Sequence, residues 1–163
     1  MAARILTMIE TLKSHIIPAA MSLLPTKMDT PEARAMLVAI ALQESDSLKY
    51  REQIGGPAKG LWQWELPQVG LVLRHEVVGL LALKVLADLS YSVGSPPFEK
   101  IHDAMQHNDV LQCAFSRLML WPDAAPLPQR GDVQGSLATY LRVWKPGRPH
   151  PEKWPANWAQ AWG

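Results

Sequence analysis

The sequence predicts a mainly α-helical fold in a single domain, and three observations carry that expectation. Apolar residues recur at helical spacing along most of the chain, Pro and Gly clusters punctuate the periodic stretches, and no internal repeat or low-complexity run interrupts them. With 163 residues, 48% of them hydrophobic, the chain is long enough to bury one core without disulfides or structural metal. The expected architecture is one domain over 1–163 with about seven or eight helices and a small irregular or β excursion at about 46–65.

Taken in order, an N-terminal helix within 1–25 runs from about Ala3 to Ile17, with Ile5, Met8, Ile9, Leu12 and Ile16 on its apolar side and Pro18 as its stop. The second helix has a clear start in Thr30 as N-cap, Pro31 at the first helical position and Glu32 in the first turn. Its stripe of Ala33, Met36, Leu37, Ile40 and Ala41 leads to Glu44. Between Asp46 and Glu65, Gly55, Gly56, Pro57 and Gly60 mark the loop or β excursion. Further helices are expected at about Val69–Val77, Val78–Leu89, Phe98–His107 and Asp109–Leu120, the last capped by Asn108 or Asp109. An extended connection over Pro122–Gly131 precedes a helix from about Asp132 that buries Val133, Leu137, Tyr140, Leu141 and Trp144. The Trp- and Pro-rich segment 146–163 reads as a wrapping tail in which Trp154, Trp158 and Trp162 recur every fourth residue, as a short docked helix would place them.

Composition removes several function classes. A net charge of +1 gives no long-range field for polyanions, which argues against nucleic acid as partner. The single Cys113, amid Leu111, Ala114 and Phe115, offers neither a disulfide nor a zinc motif and reads as core. His75-Glu76 lacks the second His of a zinc-protease helix, so no metal and no cofactor is expected. The most apolar later run, Val77–Leu83, is far short of the roughly 20 residues that cross a bilayer, and the N-terminal stretch is interrupted by Glu10 and Lys13. A soluble chain without signal peptide or membrane insertion is the expectation.

Glu44 carries the chemical argument. Helical spacing puts its carboxyl on the stripe of Leu37 and Ile40 in the last turn, where partial burial and the negative helix end both disfavour the ionised form. A carboxylic acid held protonated near neutrality is what general-acid cleavage of a glycosidic bond requires. The competing reading is a solvated Glu at a frayed helix end. If 61–65 is extended, Gln63 and Glu65 share one face, and Trp62 and Trp64 the other. One Trp then floors a sugar subsite or packs in the core, and Glu65 either enters the cleft as a second carboxylate or serves the fold, capping the helix entered at Pro67 or pairing with Lys59 or Arg51. Asp46 and Glu52 are further candidates for a second carboxylate. Arg51, Lys59 and Arg142 either hold acidic groups of a ligand or are solvated.

Gln43-Glu44-Ser45 is followed sixteen residues after the Glu by Gly60-Leu61-Trp62-Gln63, and Leu137-Ala138-Thr139-Tyr140 lies on a late helix. The stretch QESDSLKYREQIGGPAKGLWQWE resembles the lysozyme-like lytic transglycosylases, relatives of goose-type lysozyme, whose pattern is Glu-Ser at a helix end, then Gly-Leu-Met-Gln, then Ala-Tyr-Asn. Trp62 stands where Met is usual and Leu141 where Asn is usual. The resemblance spans about 30–145 and is nearest to phage or prophage members.

That resemblance implies a lysozyme-like fold and a peptidoglycan-cleaving enzyme. Glu44 would be the single acid/base, Ser45 would orient the sugar or the carboxyl, Gln63 would bond an N-acetyl or backbone group, and Tyr140 would bring its hydroxyl beside Glu44. For Ser45 the alternative is a hydroxyl bonded to its own helix, and for Tyr140 a core phenol. Cleavage between N-acetylmuramic acid and N-acetylglucosamine would end in a 1,6-anhydro product. The rivals are a hydrolytic muramidase and, in another class, a non-catalytic phage structural or wall-binding protein. Glycan strands of peptidoglycan are the implied partner, together with virion or tail assembly proteins. The implied location is a virion, or release from the host cytoplasm to the wall.

Overall fold

In a computed structural model, residues 2–91 and 97–163 are described, with side chains from Leu6 onward, so Ile5 of the first apolar stripe lies outside the described side chains. The helices are α1 (Ala2–Thr11), α2 (Ile17–Ser22), α3 (Pro31–Glu44), α4 (Leu66–Arg74), α5 (Gly79–Asp88), α6 (Phe98–Met105), α7 (Asp109–Leu120), α8 (Val133–Trp144) and α9 (Trp154–Trp162). A π-helical turn at Leu12–Ile16 joins α1 to α2, so the described residues form eight rods and a mainly α fold, as expected.

Pro18 does not stop the first helix. A proline inside a helix removes one hydrogen bond and crowds the carbonyl four residues back. Here the wide turn just before it, closed by the Ile17 N–H donating to the Leu12 carbonyl, takes up that crowding and the rod continues to Ser22.

The predicted cap of α3 forms as read, with Thr30 Oγ1 accepting from the Ala33 N–H at 3.2 Å and Pro31 in the first turn. Such a cap contributes about 1 kcal/mol. A single apolar stripe is too narrow a description of this helix, because every residue from Ala35 to Leu42 is buried. It is apolar all round and runs through the centre, with α9, α7 and the π turn packed against it.

Boundaries elsewhere shift by a few residues. α4 starts at Leu66, three residues before the expected Val69, because Pro67 fits the first turn and the Gln68 side chain accepts the N–H of Glu65 at 2.7 Å. α7 keeps its predicted limits, with Asn108 as cap accepting from the Leu111 N–H at 2.9 Å. α8 is capped by Asp132 and buries Tyr140 and Trp144, but Leu141 faces solvent, contrary to expectation. One hydrophobic core joins the central helix to the C-terminal tryptophans.

The excursion at 46–65 contains two isolated bridges, Glu52 with Lys59 and Lys59 with Trp64, and no named strand. Residues 61–65 are not extended. Gly60 at φ +78° and Gln63 at φ +47° make a tight turn that sends Leu61, Trp62 and Trp64 inward and leaves Gln63 and Glu65 outside. Glycine is required at 60: a Cβ there would meet Gln112 Oε1 at 2.0 Å. Among the described residues no helix is long and apolar enough to cross a membrane.

Candidate active site

The chain must reverse directly after Glu44, and it does so through Asp46, Ser47 and Leu48, all in the left-handed region at φ 48°, 62° and 63°. Such residues cost about 1 kcal/mol or more each and persist only where surrounding bonds hold them. Ser45 supplies part of that hold. It is fully buried, donates its hydroxyl to the Ala41 carbonyl at 2.5 Å and accepts from the Leu48 N–H at 3.0 Å. Ser45 therefore makes no sugar contact and follows its alternative reading: the hydroxyl is spent on its own backbone, where it fixes the turn that presents Glu44.

Glu44 opens into a groove of about 910 Å³ that Gln63, Glu65 and Tyr140 also line. This volume lies at the upper end of small-molecule sites. Tyr140 donates its hydroxyl to Glu44 Oε1 at 2.6 Å. The carboxyl is pushed up to about 7, first by burial and further by the charge of Glu65, while the Tyr140 hydrogen bond pulls the other way. Tyr140 itself is held protonated by burial and by the adjacent Glu44 charge. Its ring stacks on Trp154 at 4.7 Å and 15°, and Trp154 anchors by donating Nε1–H to Ser136 Oγ at 2.9 Å.

Gln63 donates from Nε2 to the Gly60 carbonyl at 2.7 Å, which leaves its side-chain carbonyl as the group it offers the groove. Glu65 both caps α4 and lines the groove, so the two alternatives read for it coexist. Trp62 is not a sugar platform. It is fully buried, with Nε1–H donated to the Leu37 carbonyl at 2.9 Å, and Trp64 is likewise buried, donating to Ser116 Oγ at 3.1 Å. The exposed aromatic on the groove is Tyr50, beside Ile54.

The cations singled out in the sequence are engaged elsewhere: Arg51 with Asp109, Lys59 with Asp103 and Arg142 with Asp123. Lys145, Arg148 and Lys153 line the groove instead. They lie on the segment after α8, which is clamped to the end of α3. Gln43 donates from Nε2 to the Pro149 carbonyl at 2.6 Å and accepts from Asn157 Nδ2 at 2.7 Å, and Lys153 pairs with Asp46 at 3.1 Å. The tail thus forms one wall of the site. Helical periodicity gives no signal for such a contact; only the adjacency of Gln43 to Glu44 points toward it. Asp46 is paired with Lys49 and Lys153 and sits below the usual carboxylate range, chiefly through those hydrogen bonds, and Glu52 is exposed outside the groove lining.

Chemically the arrangement is one acid able to hold or release a proton near neutrality, a phenol fixed beside it, an amide carbonyl and a cationic wall. Among the described residues no group of three or more His, Cys, Asp or Glu side chains could hold a metal ion. In comparisons with known proteins, no family model, no curated protein and no solved structure matches this chain.

Proposed function

We propose that the protein cleaves the β-1,4 bond between N-acetylmuramic acid and N-acetylglucosamine in peptidoglycan, as a lytic transglycosylase of lysozyme-like fold. The observation that carries this reading is Glu44: a groove-lining carboxyl pushed up to about 7 with a phenol 2.6 Å away. Protonated Glu44 gives its proton to the glycosidic oxygen as the bond to the muramic anomeric carbon breaks and positive charge builds on that sugar. The sugar's 6-hydroxyl then attacks the same carbon and returns a proton to Glu44, closing the 1,6-anhydro ring and restoring the acid. The Tyr140 hydroxyl stabilises the transient carboxylate, and Gln63 offers its carbonyl to an N-acetyl N–H. Lys145 and Arg148 favour carboxylates of the lactyl and peptide parts.

Glu65 supports a second reading, because a carboxylate on the same groove is what a hydrolytic muramidase uses to steer water. Mass analysis of products from purified cell wall separates the two. Anhydromuropeptides are expected; reducing ends would give the hydrolase, and unchanged wall would leave a wall-binding or virion structural role. Detection of the chain in purified phage particles tests its expected place in a virion.

A further inference from the structure

A second pocket, of about 340 Å³, shares no residue with the groove and is lined by Arg117, Lys27, Trp121, Leu120 and Leu127 among others. Arg117 is 3% exposed, yet only part of its guanidinium is satisfied. Its Nε donates to the Met28 carbonyl at 2.7 Å, whereas its Nη1 is buried with no hydrogen-bond partner. Asp29, the carboxylate whose charge acts on Arg117, is already forked onto Arg34 at 2.7 and 2.8 Å. A buried guanidinium without an ion pair is costly, and desolvation holds its acidity constant down at about 10.

Of the acids lining the pocket, Asp123 is bound by Arg142, while Glu32 stays ionised, held below the usual carboxylate range first by its own backbone N–H and then by Thr30. The two cations lining the pocket, Arg117 and Lys27, both lie against Trp121, at 4.9 and 5.4 Å from its ring centroid. One anion would compensate both charges, meeting Arg117 through Nη2, because Nε is donated to Met28 and Nη1 is closed off from solvent. Leu120, Leu127 and Pro126 offer apolar wall for the rest of the ligand.

We infer that this pocket is a binding site for a carboxylate on a small, partly apolar molecule, held by Arg117 and Lys27 and separate from the glycan groove. This does not depend on wall cleavage, since the test reads binding alone. N-acetyl-leucine, its uncharged amide and inorganic phosphate are titrated into the full chain while the Trp121 indole N–H and Arg117 Nε–H resonances are followed. Saturable shifts with the acid and none with the amide are expected. Lys27→Ala should weaken binding several-fold with an unchanged melting temperature, because Lys27 is exposed. Arg117→Lys, checked for folding by the same melt, should abolish it. Equal shifts with the amide, saturation by phosphate but not by the carboxylate, or no saturation at millimolar concentration would each overturn the assignment.

Discussion

Glu44→Gln separates catalysis from stability in a way that can be calculated. Because burial raises the folded-state value from 4.5 to about 7, the folded protein holds a proton that the unfolded chain has already lost across that window. Stability therefore falls as pH rises from about 4.5 to about 7. At about 1.4 kcal/mol per pH unit, the full span is about 3 kcal/mol. Gln does not ionise and its carbonyl can still accept the Tyr140 hydroxyl, so the variant escapes this loss. Above pH 8 it should be more stable than the parent by up to about 3 kcal/mol, or roughly 6–12 °C in melting temperature. At pH 4 the two should melt together. Wall cleavage by the variant should fall by about 10² to 10⁴, the usual contribution of a positioned acid. Melting curves from pH 4 to 9 on both proteins cancel every other titration they share. A gap that does not grow with pH would refute the buried, reluctant acid, and full activity would refute the mechanism.

Tyr140→Phe removes the hydrogen bond that holds the Glu44 carboxyl down, so the alkaline limb of the pH–activity profile should move to higher pH while the maximal rate drops; an unmoved limb would contradict the pairing. Ser45→Ala orphans the buried Leu48 N–H and should cost about 1–3 kcal/mol in denaturant unfolding, with substrate affinity of the remaining folded protein little changed. Gly60→Ala drives a Cβ into Gln112 at a positive φ and should destabilise by more than about 1 kcal/mol, read the same way. Replacing Lys145 and Arg148 together by Ala should raise KM for anionic glycan strands with little change in kcat, and should flatten the salt dependence of KM.

What could be read from the residues was local. Thr30-Pro31 and Asn108-Asp109 announce their helices because a cap needs only its own turn. The expectation of a raised acidity constant for Glu44 followed from its place on a stripe that ends at a helix terminus, and burial does dominate it. The Gly60–Gln63 turn escapes alternation counting because its positive φ values leave no mark on hydrophobic pattern, and of the two fates read for Trp62 the core one holds. For Ser45 the sequence offers two readings, and the structure holds the one in which its hydroxyl bonds its own helix at Ala41. The basic wall was missed because Gln43 meets Pro149 across 106 positions.

That separation has a consequence for how the molecule comes into being. Gln43 is bonded to Pro149 and Asn157, and the phenol beside the acid leans on Trp154, so the crevice has no second side until those residues have left the ribosome. Contacts so distant along the chain close late, after the nearer helices have paired. A polypeptide not yet made past Pro149, or cut before it, would carry the proton donor on a half-open face, chemically present but idle, and competence would arrive only once Trp154 and Asn157 have docked.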